Sequence, residues 1–105
     1  MGIAGRMVEV GVGEASKVVE RIAEIVNQAG LHARPVMQFV DIANRYQASI
    51  TVHKGGEKVD GKSPMEMMLL EAPEGSRLHI TATGSDAEEM VNALVELIAN
   101  GFGED

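Results

Sequence analysis

A histidine and an arginine stand two residues apart in the hexapeptide over residues 30–35, Gly-Leu-His-Ala-Arg-Pro. An imidazole changes its protonation near neutral pH and has a nucleophilic ring nitrogen, so His32 is suited to accept and pass on a proton or a phosphoryl group. The planar guanidinium of Arg34 matches the oxygens of a phosphate. The hexapeptide alone is equally consistent with a histidine that is simply tolerated near a helix start.

The residues around this histidine predict a helix that would position it. Pro35 suits a first helical turn, and the apolar residues that follow recur at helical spacing: Val36, Phe39, Val40 and Ala43. We predict a helix over residues 33–46. The first backbone N–H groups of such a helix, here those of Ala33 and Arg34, have no intrahelical partner and carry partial positive charge, so a phosphate is favoured there.

The composition excludes several classes of function. The chain has 105 residues, 45% of them hydrophobic, which is enough for one domain with a single core. It has no cysteine, so disulfides and thiolate metal sites are excluded. A net charge of −7 and the scarcity of aromatic residues argue against nucleic acid as a partner. No apolar run has the length of a membrane span, so we expect a cytoplasmic protein without membrane insertion.

Hydrophobic periodicity predicts four strands and two further helices. Alternating or β-branched segments predict strands over residues 18–26, 48–53, 57–60 and 78–83. A capping box that begins at Ser63 opens a short, very apolar helix, which ends before Pro73. A second capping box, beginning at Ser85, opens a last helix that ends at Asn100.

The element order β-α-β-β-α-β-α predicts a two-layer α+β domain over residues 17–105, preceded by a flexible extension over residues 1–16. Because every strand alternates, we expect the three helices to cover one face of the sheet and leave the other exposed. A right-handed crossover makes strands one and two parallel and leaves room for strand four between them. The expected sheet order is therefore 1-4-2-3.

The remaining histidines and the methionine cluster have simpler explanations. His53 and His79 fall on outward strand positions, and two imidazoles without a carboxylate or thiolate make a weak metal site. We therefore expect no metal and no cofactor. Met65, Met67 and Met68 are candidates for the core, but a short helix cannot bury all three. Those left at the surface would form an adaptable docking patch.

Three features together resemble the HPr family, the histidine phosphocarriers of the bacterial phosphotransferase system. They are the Gly-Leu-His-Ala-Arg-Pro segment, the Gly-Lys-Ser entry to the second helix at residues 61–63, and the order of strands and helices. The resemblance covers residues 21–101. It implies an open-faced β-sandwich and a protein that acts as a phosphoryl carrier in a relay rather than as an enzyme.

The resemblance also implies a role for individual residues. His32 would accept a phosphoryl group on Nδ1 from enzyme I, which takes it from phosphoenolpyruvate, and would pass it to an enzyme IIA component. Arg34 would stabilise the phosphate. Ser63 would be a regulatory site for the ATP-dependent HPr kinase/phosphorylase. Docking of the partner proteins is expected at Met37, Met65 and Met68.

Departures from the family pattern leave open which branch of the family this chain resembles. Pro64 follows Ser63 where the family usually has an aliphatic residue. Acidic residues stand on or near the expected docking face: Asp41, Glu66 and Glu71. The segment over residues 100–105 is similar to nitrogen-branch relatives, which often lack the serine. The alternative to a sugar-transport carrier is therefore a regulatory interaction module controlled at Ser63. A third hypothesis, a small-molecule-binding domain, has no support from individual residues.

Overall fold

The computed structural model describes residues 17–104, and the predicted extension over residues 1–16 lies outside this range. Within it, four strands and three α-helices follow in the predicted order: β1 (Val18–Glu24), α1 (Ala33–Ala43), β2 (Ser49–Lys54), β3 (Glu57–Asp60), α2 (Pro64–Met68), β4 (Arg77–Thr83) and α3 (Ala87–Ala99). A short 3-10 helix, Gly101–Gly103, follows α3 and was not predicted.

The sheet has the predicted strand order, β1-β4-β2-β3. All three neighbouring pairs are antiparallel. Because β1 and β2 are both antiparallel to β4, they run parallel to each other, as expected for a right-handed crossover through α1. In this register Val18 lies opposite Thr83, and His53 lies opposite His79.

The core lies between the helices and one face of the sheet. Alternate strand residues are buried and their neighbours face solvent, as in the residues Leu78, Ile80 and Ala82 of β4. The helices contribute their periodic apolar residues, among them Val36, Phe39, Val40 and Ala43 of α1 and Met90, Val91, Leu94 and Ile98 of α3. The predicted fold class, a two-layer open-faced α+β sandwich, is confirmed. No helix within residues 17–104 has the length and apolar character that crossing a membrane requires.

The first helix, predicted over residues 33–46, ends early at Ala43. Two backbone hydrogen bonds that span only three residues tighten the chain into a turn beyond this point. Arg45 N–H donates to the carbonyl of Ile42 at 3.0 Å, and Tyr46 N–H donates to that of Ala43 at 3.3 Å. The turn leads directly into β2, so tertiary context ends the helix where its apolar period stops.

The first strand, predicted over residues 18–26, also ends early, at Glu24. Ile25 still makes two hydrogen bonds with the two residues that precede β4. It donates to Ser76 O at 2.8 Å and accepts from Gly75 N–H at 2.7 Å. Gly75 has a φ of +91° and belongs to a turn, so the regular ladder cannot continue past it. Both ends of β2 and the first residue of β4 differ from the prediction by one position, and β4 ends at Thr83 as predicted.

Both predicted capping boxes are wrong in part. Ser63 Oγ accepts from Glu66 N–H at 3.2 Å, as a capping residue should, but Glu66 Oε1 accepts from Asp60 N–H at 2.9 Å instead of returning to the serine. At α3 the cap is Asp86 rather than Ser85, and its side chain caps no amide of the helix. In each case the carboxylate accepts hydrogen bonds from backbone N–H groups outside the helix: Glu66 from Asp60, and Asp86 from Gln47 and Ala48.

The carboxylate of Asp86 holds the loop that enters β2. It accepts hydrogen bonds from the backbone N–H groups of Gln47 and Ala48, both at 2.9 Å. The Gln47 bond is the main reason that the pKa of Asp86 lies below its ordinary value of 3.8, with Ala48 and the charge of Lys62 adding to it and desolvation opposing it. The bond therefore stabilises the fold fully above pH 3.8 and weakens as the pH falls through the folded-state pKa.

We expect the Asp86→Asn variant to be less stable than the wild type near pH 7, because the two backbone N–H groups bond to different carboxylate oxygens and the amide of asparagine keeps only one acceptor oxygen. Below about pH 4 the difference should shrink, since the wild-type carboxylate then becomes protonated. Urea unfolding at about pH 7 and about pH 3 measures both effects. Asp41→Asn, which removes an exposed ion pair with Arg45, is the control. Equal pH dependence of Asp86→Asn and the wild type would contradict the prediction.

Candidate functional site

His32 lies at the N-cap position of α1. Its backbone is extended, with φ −95° and ψ −168°, and its side chain makes no capping hydrogen bond, so the ring is available for other contacts. The His32 carbonyl accepts from Val36 N–H at 3.0 Å, which is the first hydrogen bond of the helix. With 43% of its side chain exposed, the imidazole is open to a partner from solution.

The loop that carries His32 is held against the segment that follows α2. Leu31 is buried and donates its N–H to Ala72 O at 2.8 Å. Gly30 has a φ of +75°, and a Cβ atom placed on it would lie 2.7 Å from Ala72 O and 3.0 Å from the Cα of Pro73. Glycine is therefore required at this position both for the backbone angle and for the close approach of the two segments.

A carboxylate that sequence analysis did not single out contacts the ring of His32. The Nε2 atom lies 2.9 Å from Glu104 Oε2 and 3.2 Å from Glu104 Oε1. Asn27 supports this carboxylate, donating from Nδ2 to Glu104 Oε1 at 3.0 Å and to Gly30 O at 2.8 Å. Since a carboxylate only accepts, the proton is assigned to Nε2, and the neutral ring then has its lone pair on Nδ1.

The C-terminal segment brings Glu104 to this place. The 3-10 helix buries Phe102 in the core, and the chain beyond it passes His32. The hydrogen bond with His32 is the main cause of a lowered pKa at Glu104; desolvation opposes it, and Asn27 and the charge of Arg34 add to it. The two residues are 72 positions apart, so no local pattern predicts their contact.

Arg34 and two backbone amides supply positive charge beside the ring. Arg34 is exposed in the first turn of α1 and lies near enough to Glu104 to help lower the pKa of that carboxyl. The N–H groups of Ala33 and Arg34 precede the first helical hydrogen bond, whose donor is Val36. The helix start thus combines a nucleophilic nitrogen, a guanidinium and outward amides, which suits a phosphoryl group.

Apolar side chains are exposed on α1 and α2, two helices that contact each other. Met37, Met65 and Met68 all face solvent, and Met65 is the most exposed, at 79%. Met67 is fully buried, in keeping with the expectation that the cluster divides between core and surface. Leu69, at 64% exposure, extends the surface and was not predicted. We call these four exposed residues the apolar patch: Met37, Met65, Met68 and Leu69.

Ser63 lies at the N-cap of α2, two residues before Met65 of the apolar patch. Its Oγ accepts a hydrogen bond from Glu66 N–H, which explains a serine here without any modification. The side chain is half-buried. The structure thus assigns Ser63 a capping role and leaves its phosphorylation a prediction.

The other two histidines form a separate pair on the open face of the sheet. His53 and His79 lie opposite each other with ring centroids 5.9 Å apart, and His79 Nε2 is 3.4 Å from Glu20 Oε1. Within residues 17–104, His, Cys, Asp and Glu side chains form no group of three or more that is placed to hold a metal ion.

Comparison with known proteins gives three concordant similarities. A family model described as the PTS HPr component phosphorylation site matches residues 19–100. The phosphocarrier protein HPr of Pseudomonas aeruginosa is 47% identical over 81 residues, which cover 76% of this chain and 90% of that protein. The phosphocarrier protein NPr of Proteus mirabilis is 37% identical over 87 residues, covering 81% of this chain and 96% of that protein.

Solved structures agree with the sequence relatives. The crystal structure of HPr from Thermoanaerobacter tengcongensis superposes with a TM-score of 0.80 at 42% identity, over 83% of this chain and 98% of the other. Sequence, strand order and the histidine at the start of the first helix therefore point to one conclusion. This chain belongs to the HPr family, the phosphocarrier proteins of the phosphotransferase system.

Proposed function

We propose that this protein carries a phosphoryl group on Nδ1 of His32. It receives the group from phosphorylated enzyme I, which takes it from phosphoenolpyruvate, and passes it to an enzyme IIA component. The phosphocarrier domain in this proposal comprises residues 17–105, and residues 1–16 take no part in the transfer.

The contact between His32 Nε2 and Glu104 is the single observation that carries this proposal. An imidazole has two nitrogens, and a carboxylate that accepts from Nε2–H favours the tautomer with a lone pair on Nδ1. Asn27 holds the same carboxylate in place. The nucleophilic nitrogen is therefore selected before any phosphoryl donor arrives.

The transfer step needs no proton to move. The lone pair of Nδ1 attacks the phosphorus of the donor phosphohistidine, the donor P–N bond breaks, and its electron pair returns to the donor imidazole. The proton stays on Nε2 of His32, which donates a hydrogen bond to Glu104, and the phosphorylated ring is therefore a cation. Arg34 and the amides of Ala33 and Arg34 stabilise the phosphoryl oxygens as their charge spreads during in-line transfer.

The apolar patch is the proposed docking surface for the partner proteins. It lies on the same two helices that present His32 and Ser63, so that a partner seated on it would reach the phosphoryl group. Methionine side chains adapt to different surfaces, which suits a carrier that must engage a donor and an acceptor in turn.

Incubation with phosphoenolpyruvate and enzyme I tests the proposal. We expect one phosphoryl group per chain, labile in acid, that passes to enzyme IIA when that protein is added. The same mixture without enzyme I is the control. A chain that stays unmodified with active enzyme I, itself verified on a known HPr, would overturn the proposal.

The Glu104→Ala variant should accept phosphate more slowly, by about fivefold, because its ring populates both neutral tautomers. Glu104→Gln should lie between this variant and the wild type, since its amide oxygen still accepts from Nε2–H. Rapid-quench phosphorylation by enzyme I gives the rates, and the ¹⁵N shifts of the ring nitrogens report the tautomer. Glu89→Gln, an exposed acid on α3, controls for net charge. A wild-type ring protonated on Nδ1 would contradict the assignment.

A regulatory interaction module is the second candidate function. Two observations favour it: the chain resembles a relative named NPr as well as HPr proteins, and Ser63 stands at a helix start beside the apolar patch. A phosphate on Ser63 would add about −1.5 to −2 charges at this surface and repel an acidic partner.

Incubation of the protein with HPr kinase/phosphorylase and ATP distinguishes the regulatory function from the carrier function. Phosphorylation that disappears in Ser63→Ala and slows exchange with enzyme I would support the regulatory function. An unmodified Ser63 would remove the regulatory function. Pro64 is the reason to test this, because it alters the sequence that such a kinase meets. Phosphorylation of His32 by enzyme I is measured separately and does not depend on this result.

A further inference from the structure

A second carboxylate, that of Glu71, shares a surface depression with His32 and takes no part in the transfer described above. Glu71 and His32 line the same open depression on the surface, whose other walls are Ala29, Leu31, Ala72 and Pro73. Glu71 is exposed. It forms no ion pair among residues 17–104.

The backbone at Glu71 is unusual for a glutamate. Its φ of +48° lies in the left-handed region, where glycine and asparagine are the residues without strain. Both neighbours are fixed: Leu70 is fully buried, and Ala72 is buried and accepts the N–H of Leu31. The fold thus imposes the conformation, and the sequence places a charged side chain on it at the edge of the histidine site.

The charge of Glu71 acts differently on the two states of the carrier. A neutral His32 ring presents no net charge to it, whereas the phosphorylated residue combines a phosphoryl group of about two negative charges with a ring that keeps its Nε2 proton, a net charge of about −1. Like charges close together raise the free energy of the state that contains both. Glu71 therefore destabilises the phosphorylated carrier relative to the unphosphorylated one.

We propose that Glu71 sets the phosphoryl-transfer equilibrium of His32 by charge repulsion, favouring release of the group to the next acceptor. This proposal rests on the proposed function. In the release step the Nδ1–P bond breaks, its electron pair returns to the imidazole of His32, and the acceptor's nucleophile forms the new bond to phosphorus. Glu71 exchanges no proton and touches no reacting atom.

Four variants separate charge from backbone strain. Glu71→Gln removes the charge and keeps the strain, Glu71→Gly removes both, and Glu71→Asp keeps the charge. Glu74→Gln, an exposed acid that is outside the depression, controls for net charge. The quantity measured is the equilibrium constant for phosphoryl exchange between enzyme I and the carrier, by partition of labelled phosphate at low salt and at high salt.

We expect Glu71→Gln and Glu71→Gly to shift this equilibrium about two- to fivefold towards the phosphorylated carrier at low salt. The shift should disappear near 1 M salt, where the screening length is about 3 Å. Glu71→Asp and Glu74→Gln should match the wild type. A structural role would not produce a shift that depends on salt in this way.

An unchanged equilibrium in Glu71→Gln at low salt would overturn the proposal. So would a shift confined to Glu71→Gly, since that result assigns the effect to backbone strain. Both outcomes leave the carrier function intact, because the wild type is phosphorylated in each. A wild type that accepts no phosphate from enzyme I would overturn the proposed function and, with it, this role of Glu71.

Discussion

The His32→Ala variant should gain no acid-labile phosphate from enzyme I and phosphoenolpyruvate, a loss of at least about 10³-fold in rate. Substitution removes the only nucleophile at the start of α1. The remaining histidines, His53 and His79, lie on the open face of the sheet rather than at a helix start. Neither lies beside helix-start amides, and the carboxylate of Glu20 lies 3.4 Å from His79 Nε2, farther than the 2.9 Å between His32 Nε2 and Glu104.

Two controls make this result specific. His53→Ala and His79→Ala should accept phosphate at the wild-type rate. His32→Ala should remain folded, because the ring of His32 makes no capping hydrogen bond and is substantially exposed. Mass spectrometry after neutral and acid treatment gives the phosphate, and circular dichroism gives the fold. Wild-type phosphorylation of His32→Ala would refute the assignment of the carrier residue.

The Gly30→Ala variant should lose about 2–4 kcal/mol of the free energy of unfolding. Part of this loss is the left-handed backbone, with φ at +75°, and part is the new Cβ atom, which would lie 2.7 Å from Ala72 O. That neighbour is a backbone atom and cannot rotate away. The hydrogen bond between Leu31 and Ala72 should open, and His32 should move with its loop, so the rate of phosphorylation should fall as well.

Gly55→Ala is the matched control for this prediction. Gly55 also has a positive φ, +58°, but a Cβ atom there would meet nothing within 4 Å. Its loss of stability should be limited to the backbone term, about 1–2 kcal/mol, and its phosphorylation should stay at the wild-type rate. Urea unfolding of both variants gives the difference. Equal losses would show that the contact between the two loops contributes nothing.

The sheet order was predictable because it follows from patterns that act locally. Alternation along each strand shows which face is buried, and the nearly invariant handedness of a crossover makes strands one and two parallel, which leaves room between them for the strand over residues 78–83. The ends of the first helix and the first strand were not predictable to the residue. Hydrogen bonds from other parts of the fold, such as that of Ile25 with Ser76, decided them.

The capping boxes show how a local rule can yield to a tertiary contact. The sequence at Ser85 and Asp86 has the form of a cap, but the Asp86 carboxylate bonds the amides before β2 instead. Gln47 and Ala48 lie outside the helices and strands, so their N–H groups need an acceptor from another part of the fold. A carboxylate is a strong acceptor for them. Only the path of the chain between α1 and β2 brings them within reach.

By itself, the sequence determined the fold class and strand order, the position of His32 at a helix start, and Arg34 and Ser63 as further candidate residues. These depend on periodicity, turn residues and caps, all of which act over a few positions. The tertiary structure decided what surrounds the histidine. Glu104 arrives from 72 positions away through the burial of Phe102, and Glu71 arrives on a loop held by Ala72. Contacts of this kind depend on where loops run after the core has packed, and no short pattern encodes them.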